Sequence, residues 1–289
     1  MDNFNALGID IGGSHITVGL INLHRKEMIA QTYFRRTVDS KAPLTEIIAD
    51  WATTIKQSYK EANVATVRIG IAMPGPFDYE KGVSLMQNQD KYDALYGYNV
   101  KELLAEALNI KPTAIQMKND AACFLQGEVF SGSAIGYQRV IGLTLGTGLG
   151  TAVYKNETVE ECALWNTPFL DSIAEDYIAS RWFTKRFTEM YPNHQPISNV
   201  KELCQRIKDQ SISNDIFEEF GENLGNFLVF FSKKEKAEAI VLGGNIANAF
   251  HWFEDSLKAT LKRSAVNIPI CIASLGENSA LIGAASLWL

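Results

Sequence analysis

Acids set beside glycine turns are the residues of this chain best suited to chemistry. In LGIDIGGSHITVGLIN, residues 7–22, Asp10 ends an apolar run and is followed by Gly12, Gly13 and Ser14. A carboxylate at a strand end can hold a hydrated Mg²⁺, and glycines let backbone N–H groups approach an anion, with the Ser14 hydroxyl as a further donor. The same stretch also reads as a plain hairpin between two strands. LTLGTGLGTAV repeats the plan with Gly146, Thr147 and Gly148. AIVLGGNIANA places Gly243 and Gly244 between a buried strand and a helix start, where free N–H groups and the helix dipole favour an anion or nucleotide. No turn carries the GxxxxGK[ST] pattern. A second acid, Asp120, follows Asn119 in QMKNDAACFLQGEVFSG, between a strand and a helix. It can cap that helix, or act as a general base toward a substrate hydroxyl while Asn119 binds a second hydroxyl. Three glycine turns in two halves of the chain favour a nucleotide between facing domains.

Elements of two kinds must aim these groups. Residues 6–11, 16–22 and 28–35 alternate or run apolar between glycine and polar breaks and read as strands, followed by a helix over 44–62. VRIGIAMPGP is a buried strand ending in a Pro/Gly turn, NVKELLAEALN an amphipathic helix and TAIQM a further strand. The order restarts near residue 139 with the strands RVIGLTL and GTAVY, then a helical region over about 171–232. Within it Phe217, Phe220, Leu224, Phe227, Leu228 and Phe231 recur at the three and four spacing of one buried helix face. The strand AEAIVLGG, a helix over 246–263, the strand PICIAS and a helix over 278–289 complete the second half. MYPNHQPISNV, residues 190–200, reads as a loop between helices.

At 289 residues the chain exceeds the usual size of a single core, which predicts two domains. A hydrophobic fraction of 46% supports both cores. A net charge of −6 without a Lys/Arg block argues against nucleic acid or an anionic membrane as partner. No basic segment leads into an apolar core at the N-terminus and no long apolar run follows, so a cytoplasmic location is expected. The four cysteines form no CxxC pair and suit buried, reduced thiols.

The ordered set GIDIGGS, IAMPGPFD, KNDAACFLQGE, LGTGLGTA, VLGGNI and SLGENSALIGAASL resembles the ROK family of repressors and sugar kinases. The resemblance spans residues 7–287. It implies an α/β protein of two actin-like, ribonuclease H-like βββαβαβα domains facing a central cleft. Residues 1–117, rejoined by a final helix at about 276–289, would form the first domain and 118–275 the second. The implied activity is ATP-dependent phosphorylation of a hexose or N-acyl-hexosamine, commonly at the 6-hydroxyl; the alternative is a non-catalytic sugar or nucleotide sensor of the same fold. A repressor would need a helix-turn-helix, for which the six residues before Leu7 leave no room. By position, Asp10 joins the Mg²⁺–phosphate network through water, and Gly12, Gly13, Ser14, Gly146, Thr147 and Gly148 surround phosphates. Gly243 and Gly244 face the adenosine, Asp120 is the base, and Gly75 and Asn119 line the sugar site. Relatives of this kind are often homodimers, which the resemblance carries over as an expectation.

One segment departs from the family pattern. Many members follow the second glycine turn with GE[IL]GH and then CxCGxxGCxE, which holds zinc together with that histidine. Here the sequence is VEECALWNTPFLDSIAEDYIASRW, with Cys162 as its one cysteine and no histidine, so no zinc is expected. Glu161, with Glu160 as a one-residue alternative, matches the first motif's glutamate and Glu175 resembles the last, both as sugar ligands where an isolated glutamate would read as a surface acid, with Leu164 at the histidine position beside the sugar. Trp165 and Phe169 are expected to fill the volume of the shortened loop, or one of them to cap a sugar face. His15 can touch a phosphate or lie in solvent. Asn88, Asp90 and Tyr92 are sugar-facing candidates in a stretch that reads equally as a surface loop.

Overall fold

A computed structural model describes residues 4–62, 68–89 and 91–289. Its chain divides into two units, residues 1–135 with 277–289, and 136–276. In the first, β1 (Asn5–Ile11), β2 (His15–Asn22), β3 (Glu27–Met28) and β4 (Phe34–Thr37) precede α1 (Leu44–Ala62). Then come β5 (Ile69–Met73), the short hairpin of β6 (Phe77–Asp78) and β7 (Val83–Ser84), α2 (Val100–Leu108), β8 (Ile115–Asn119) and α3 (Asp120–Ser131). The sheet order is β3-β2-β1-β5-β8, with β4 also on β2. β1 and β2 are antiparallel, whereas β1, β5 and β8 are parallel. Every residue of β5 is buried, as a parallel strand covered on both faces requires.

The second unit contains β9 (Val140–Leu145), β10 (Leu149–Lys155), β11 (Thr158–Glu161), the small pair β12 (Pro168–Phe169) and β13 (Ser172–Ile173), and helices α4 (Ala174–Ile178), α5 (Ser180–Met190), α6 (Val200–Lys208) and α7 (Asp215–Glu235). β14 (Ala239–Gly243), α8 (Phe250–Arg263) and β15 (Ile270–Ile272) complete it, and α9 (Ser279–Ala285) returns to the first unit. The sheet order β11-β10-β9-β14-β15 repeats that of the first unit, with β9, β14 and β15 parallel. Its core gathers the whole aromatic face of α7, from Phe217 to Phe231.

Departures from the sequence expectations have local causes. The third strand, expected over 28–35, is two strands separated by a 3₁₀ turn at Ala30–Thr32. The Thr32 hydroxyl accepts the Leu20 N–H at 2.8 Å, and the Thr32 carbonyl accepts from Ser58 Oγ at 2.7 Å, so side chains take over the ladder's bonds. The helical region expected over 171–232 breaks at Ala179, because the Ser180 N–H donates to Gly146 O at 2.8 Å instead of continuing α4. The final helix shortens to α9 followed by a 3₁₀ turn at Ser286–Trp288.

The division of the chain falls after α3, at residue 135, beyond the expected end of the first domain at 117 and within the window of 117–138 in which the sequence places the boundary. The cause is α9, which packs on α3, β1 and β5 at backbone distance. A Cβ on Gly127 would lie 2.1 Å from Ser279 O, one on Gly283 1.8 Å from Cys123 O, one on Gly8 2.1 Å from Leu281 O and one on Gly70 1.8 Å from Ala284 O. The fully buried Glu128 reinforces the crossing, accepting from Ser279 Oγ and from the Ser133 N–H, each at 2.8 Å. Among the described residues no helix is long and apolar enough to cross a membrane.

Gly283→Ala should therefore lower unfolding stability by about 3 kcal/mol or more, since the clash is with backbone that no rotamer change relieves. Urea denaturation measures this, and an unchanged midpoint would show that α9 can slide away from α3.

Candidate functional site

In the first unit the three parallel strands β1, β5 and β8 end on one edge of the sheet. Their register, Asp10 opposite Ala72 and Ala72 opposite Lys118, brings Asp10, the Pro74-Gly75-Pro76 turn and Asn119-Asp120 to that edge. Open α/β sheets bind ligands at such carboxyl ends. Asp10 is half-buried, and its carboxyl is pushed up to about 7, first by burial, then by the nearby Asp120, against the pull of Arg35. Burial also raises Asp120, opposed by the Ala121 N–H and by Lys91.

The helix cap expected of Asp120 belongs to its neighbour. Asn119 Oδ1 accepts from the N–H groups of Ala121 at 2.8 Å and Ala122 at 3.2 Å. Asp120 is the first residue inside α3, with one carboxylate oxygen 2.9 Å from the Ala121 N–H. Asn119 is thus committed through its oxygen and offers Nδ2, which donates to Tyr79 Oη at 3.3 Å. Tyr79 in turn donates to Met73 O at 3.0 Å. Gly75, joined to Pro76 by a cis peptide, lies beside this pair: a Cβ there would stand 3.1 Å from Tyr79 Oη and 3.9 Å from Asn119 Nδ2.

The Gly12-Gly13 turn is open. A Cβ on Gly12 would meet nothing nearer than His15 O at 3.7 Å, and one on Gly13 only the Lys91 stem at 3.5 Å; neither residue has a positive φ. Nothing in the fold therefore demands glycine at either position, which leaves a cradle that a side chain would fill. The Ser14 hydroxyl is 2.9 Å from His15 Nδ1. Tyr92 is fully buried and donates to Gly12 O at 2.7 Å, so it supports the turn from behind and does not face a sugar. Asn88 is exposed, and Asp90 lies outside the described residues.

In the second unit, Gly146-Thr147-Gly148 links β9 to β10, while Gly243 ends β14, the parallel neighbour of β9, and Gly244 follows it. Gly146 again has open space around its missing Cβ, and Thr147 is exposed. Gly244 is required by the backbone: its φ is +84° and a Cβ would lie 2.4 Å from Leu145 O. A cavity of about 670 Å³ takes in Gly146 and Thr147 of the first turn, Asn245 and Ile246 just beyond the second, and Val200 and Trp252, while Gly243 and Gly244 themselves do not line it.

Three expectations in this unit change. Glu175 holds the glycine turn: its Oε2 accepts the Leu149 N–H at 2.8 Å, while Oε1 pairs with Arg181. Leu164 is buried in the core, with its N–H on Thr151 Oγ1 at 3.0 Å, so its side chain is not available to a sugar. Trp165 is exposed, whereas Phe169 packs edge-on against Tyr177 and Phe227. Glu161 ends β11 opposite Ala152 and is exposed.

Sequence reasoning missed Arg35, Glu277 and Lys91. Arg35 follows from register alone, since Asp10 pairs with Thr17 and Thr17 with Arg35 across β1, β2 and β4; its guanidinium pairs with Glu277. Lys91 comes from a loop with no period to mark it.

Because Asp10 titrates near 7 when folded and near 4 when unfolded, the folded state holds a proton that the unfolded chain releases between those values. Stability falls as pH rises across that window. Asp10→Asn removes the effect and should raise the melting temperature of the ligand-free protein by about 2–6 °C at pH 8, the gain narrowing toward pH 4. A lower melting temperature at pH 8 would show that the Asp10 charge stabilises the fold.

The ROK family profile matches residues 6–161 and 174–289, so the gap between them is the segment that lacks the zinc motif. The chain is 24% identical over 323 aligned residues to the N-acetyl-D-glucosamine kinase of Haemophilus influenzae (strain 86-028NP), with 98% of each chain covered. Among solved structures, the ROK hexokinase of Thermus thermophilus superposes with a TM-score of 0.79 at 20% identity, covering 97% of this chain and 96% of the other. The ROK family glucokinase of Streptomyces griseus, solved with glucose and AMPPNP, gives 0.78 at 17% identity over 98% of each. With both sheets and all three glycine turns inside the matched residues, this chain belongs to the ROK family and its two units share the actin-like α/β fold.

Proposed function

We propose that this protein transfers the γ-phosphoryl group of ATP to the 6-hydroxyl of a hexose or N-acyl-hexosamine, with Asp120 as general base. The observation that carries this proposal is that Asn119 supplies the helix cap, so the fold has no need of a carboxylate at 120, while burial tunes that carboxylate toward neutrality. The names of full-length relatives, N-acetyl-D-glucosamine kinases among them, support the sugar class.

The open glycines suit a polyphosphate, since at Gly12, Gly13 and Gly146 no side chain stands between an anion and the turn, although the Gly12 N–H itself donates to His15 O and the Gly146 N–H to Gly148 O. Ser14 and Thr147 add hydroxyl donors, and Gly243 and Gly244 lie on the adenosine side. The apolar walls given by Val200, Ile246 and Trp252 suit a base. Mg²⁺, held through water by Asp10, would supply charge neutralisation on the phosphates. Gly75 and the amide nitrogen of Asn119 orient the sugar, with Glu161 as a further sugar ligand, and Glu175 acts through the glycine turn that it holds. As the acceptor oxygen bonds to the γ-phosphorus, its proton passes to Asp120 and the bridging P–O bond breaks to release ADP. Positioning supplies most of the rate, because phosphoryl transfer asks little covalent chemistry of the protein.

Asp120→Asn should lower kcat for sugar-dependent ADP formation about a thousandfold while leaving ATP and sugar affinity within a few-fold, measured by coupled assay and calorimetry. Wild-type turnover in the variant would rule out the base; sugar binding by the wild-type protein without ADP formation would make it a sensor.

The protein should also purify without stoichiometric zinc. Burial pushes the Cys162 thiol up to about 11, away from the thiolate that zinc requires. Elemental analysis decides this, and zinc equimolar with protein would overturn it.

A further inference from the structure

Lys91 stands where the cradle and the base meet. Its Cδ is 3.5 Å from the point above Gly13 where a Cβ would be, so the stem of the side chain runs along the glycine turn. The adjoining residue fixes it there. Tyr92 takes a left-handed φ of 57°, its N–H donates to Ser40 O at 2.7 Å, its hydroxyl to Gly12 O at 2.7 Å, and its ring packs edge-on against the fully buried Trp51 at 5.4 Å. A buried aromatic anchor therefore ties residue 91 to the carbonyl of the turn itself. Among the described residues no ion pair or hydrogen bond engages the Lys91 ammonium, although its charge reaches Asp120.

We propose that Lys91 is a catalytic residue of the transfer, its ammonium contacting the phosphoryl group in transit between the Gly12-Gly13 turn and Asp120. This rests on the kinase activity proposed above. As the bridging P–O bond breaks and the bond to the acceptor oxygen forms, negative charge spreads over the equatorial oxygens of the moving group. An ammonium already oriented there stabilises that charge without reorganisation. Lys91 keeps its proton throughout, and the proton of the acceptor hydroxyl goes to Asp120.

Lys91→Met keeps the stem over Gly13 and removes only the charge. The expected result is a fall in kcat of about a hundredfold to a thousandfold, with KM for sugar and for ATP within about threefold. Lys91→Arg should recover at least about tenfold of that loss, and all three proteins should melt within about 2 °C of one another. Retention of kcat within threefold in Lys91→Met would make the residue a packing element only. A loss confined to KM for ATP would make it a ground-state phosphate contact; either result overturns the proposal. Failure of the kinase reading itself is separately visible, because the wild-type protein would then form no sugar-dependent ADP with any hexose or hexosamine, and this inference would fall with it.

Discussion

The contact on which the first unit depends is the close approach of α9 to β1, β5 and α3, made at four glycines. Gly8, Gly70, Gly127 and Gly283 remove four Cβ atoms that would each sit about 2 Å from a carbonyl oxygen. Packing this close leaves little slack to absorb a displacement. The strands that carry Asp10 at their end and the helix that begins at Asp120 are the same elements that α9 clamps. The spacing of the two acids is therefore set by main-chain contacts rather than by their own side chains.

That rigidity holds together groups that repel each other. Burial raises the cost of ionising both Asp10 and Asp120, the charge of Asp120 adds to it at Asp10, and Arg35 offsets part of it at Asp10 and Lys91 at Asp120. Arg35 is itself shared with Glu277, at the entry to α9. The helix that locks the sheet thus also carries part of the charge balance at the edge of that sheet. A site whose apo form is electrostatically uncomfortable is most comfortable with cations and a ligand present, which suits a protein that binds a charged substrate.

Much of the fold was legible because period and burial agree. The helix over 44–62 and the aromatic face of α7 follow from three and four spacing alone, and β5 and β14 from unbroken apolar runs. What could not be read was where side chains replace backbone partners. Thr32 splits a strand by taking Leu20's N–H, and Gly146 splits a helix by taking Ser180's. At the site the glycine turns and both acids were visible as residue types, but their partners were not. Asp120 reads equally as cap or base, and Asn119 as a ligand, until the Ala121 and Ala122 N–H groups are found on Asn119 Oδ1. Glu175 reads as a sugar ligand until Leu149 and Arg181 occupy it, and Leu164 as a pocket residue until its side chain is found in the core. Lys91 and Arg35 reach the site from segments whose patterns carry no mark of it.

The chain leaves the first unit after residue 135 and re-enters it at 277, so the whole second unit is an insertion within the first. During synthesis the second unit is complete, core and sheet, before the residues that finish the first have been made. Until Ser279–Ala285 emerges, the glycine-lined surfaces of β1, β5 and α3 have nothing to cover them. The first unit is therefore completed only once α9 has been made, after the whole of the second.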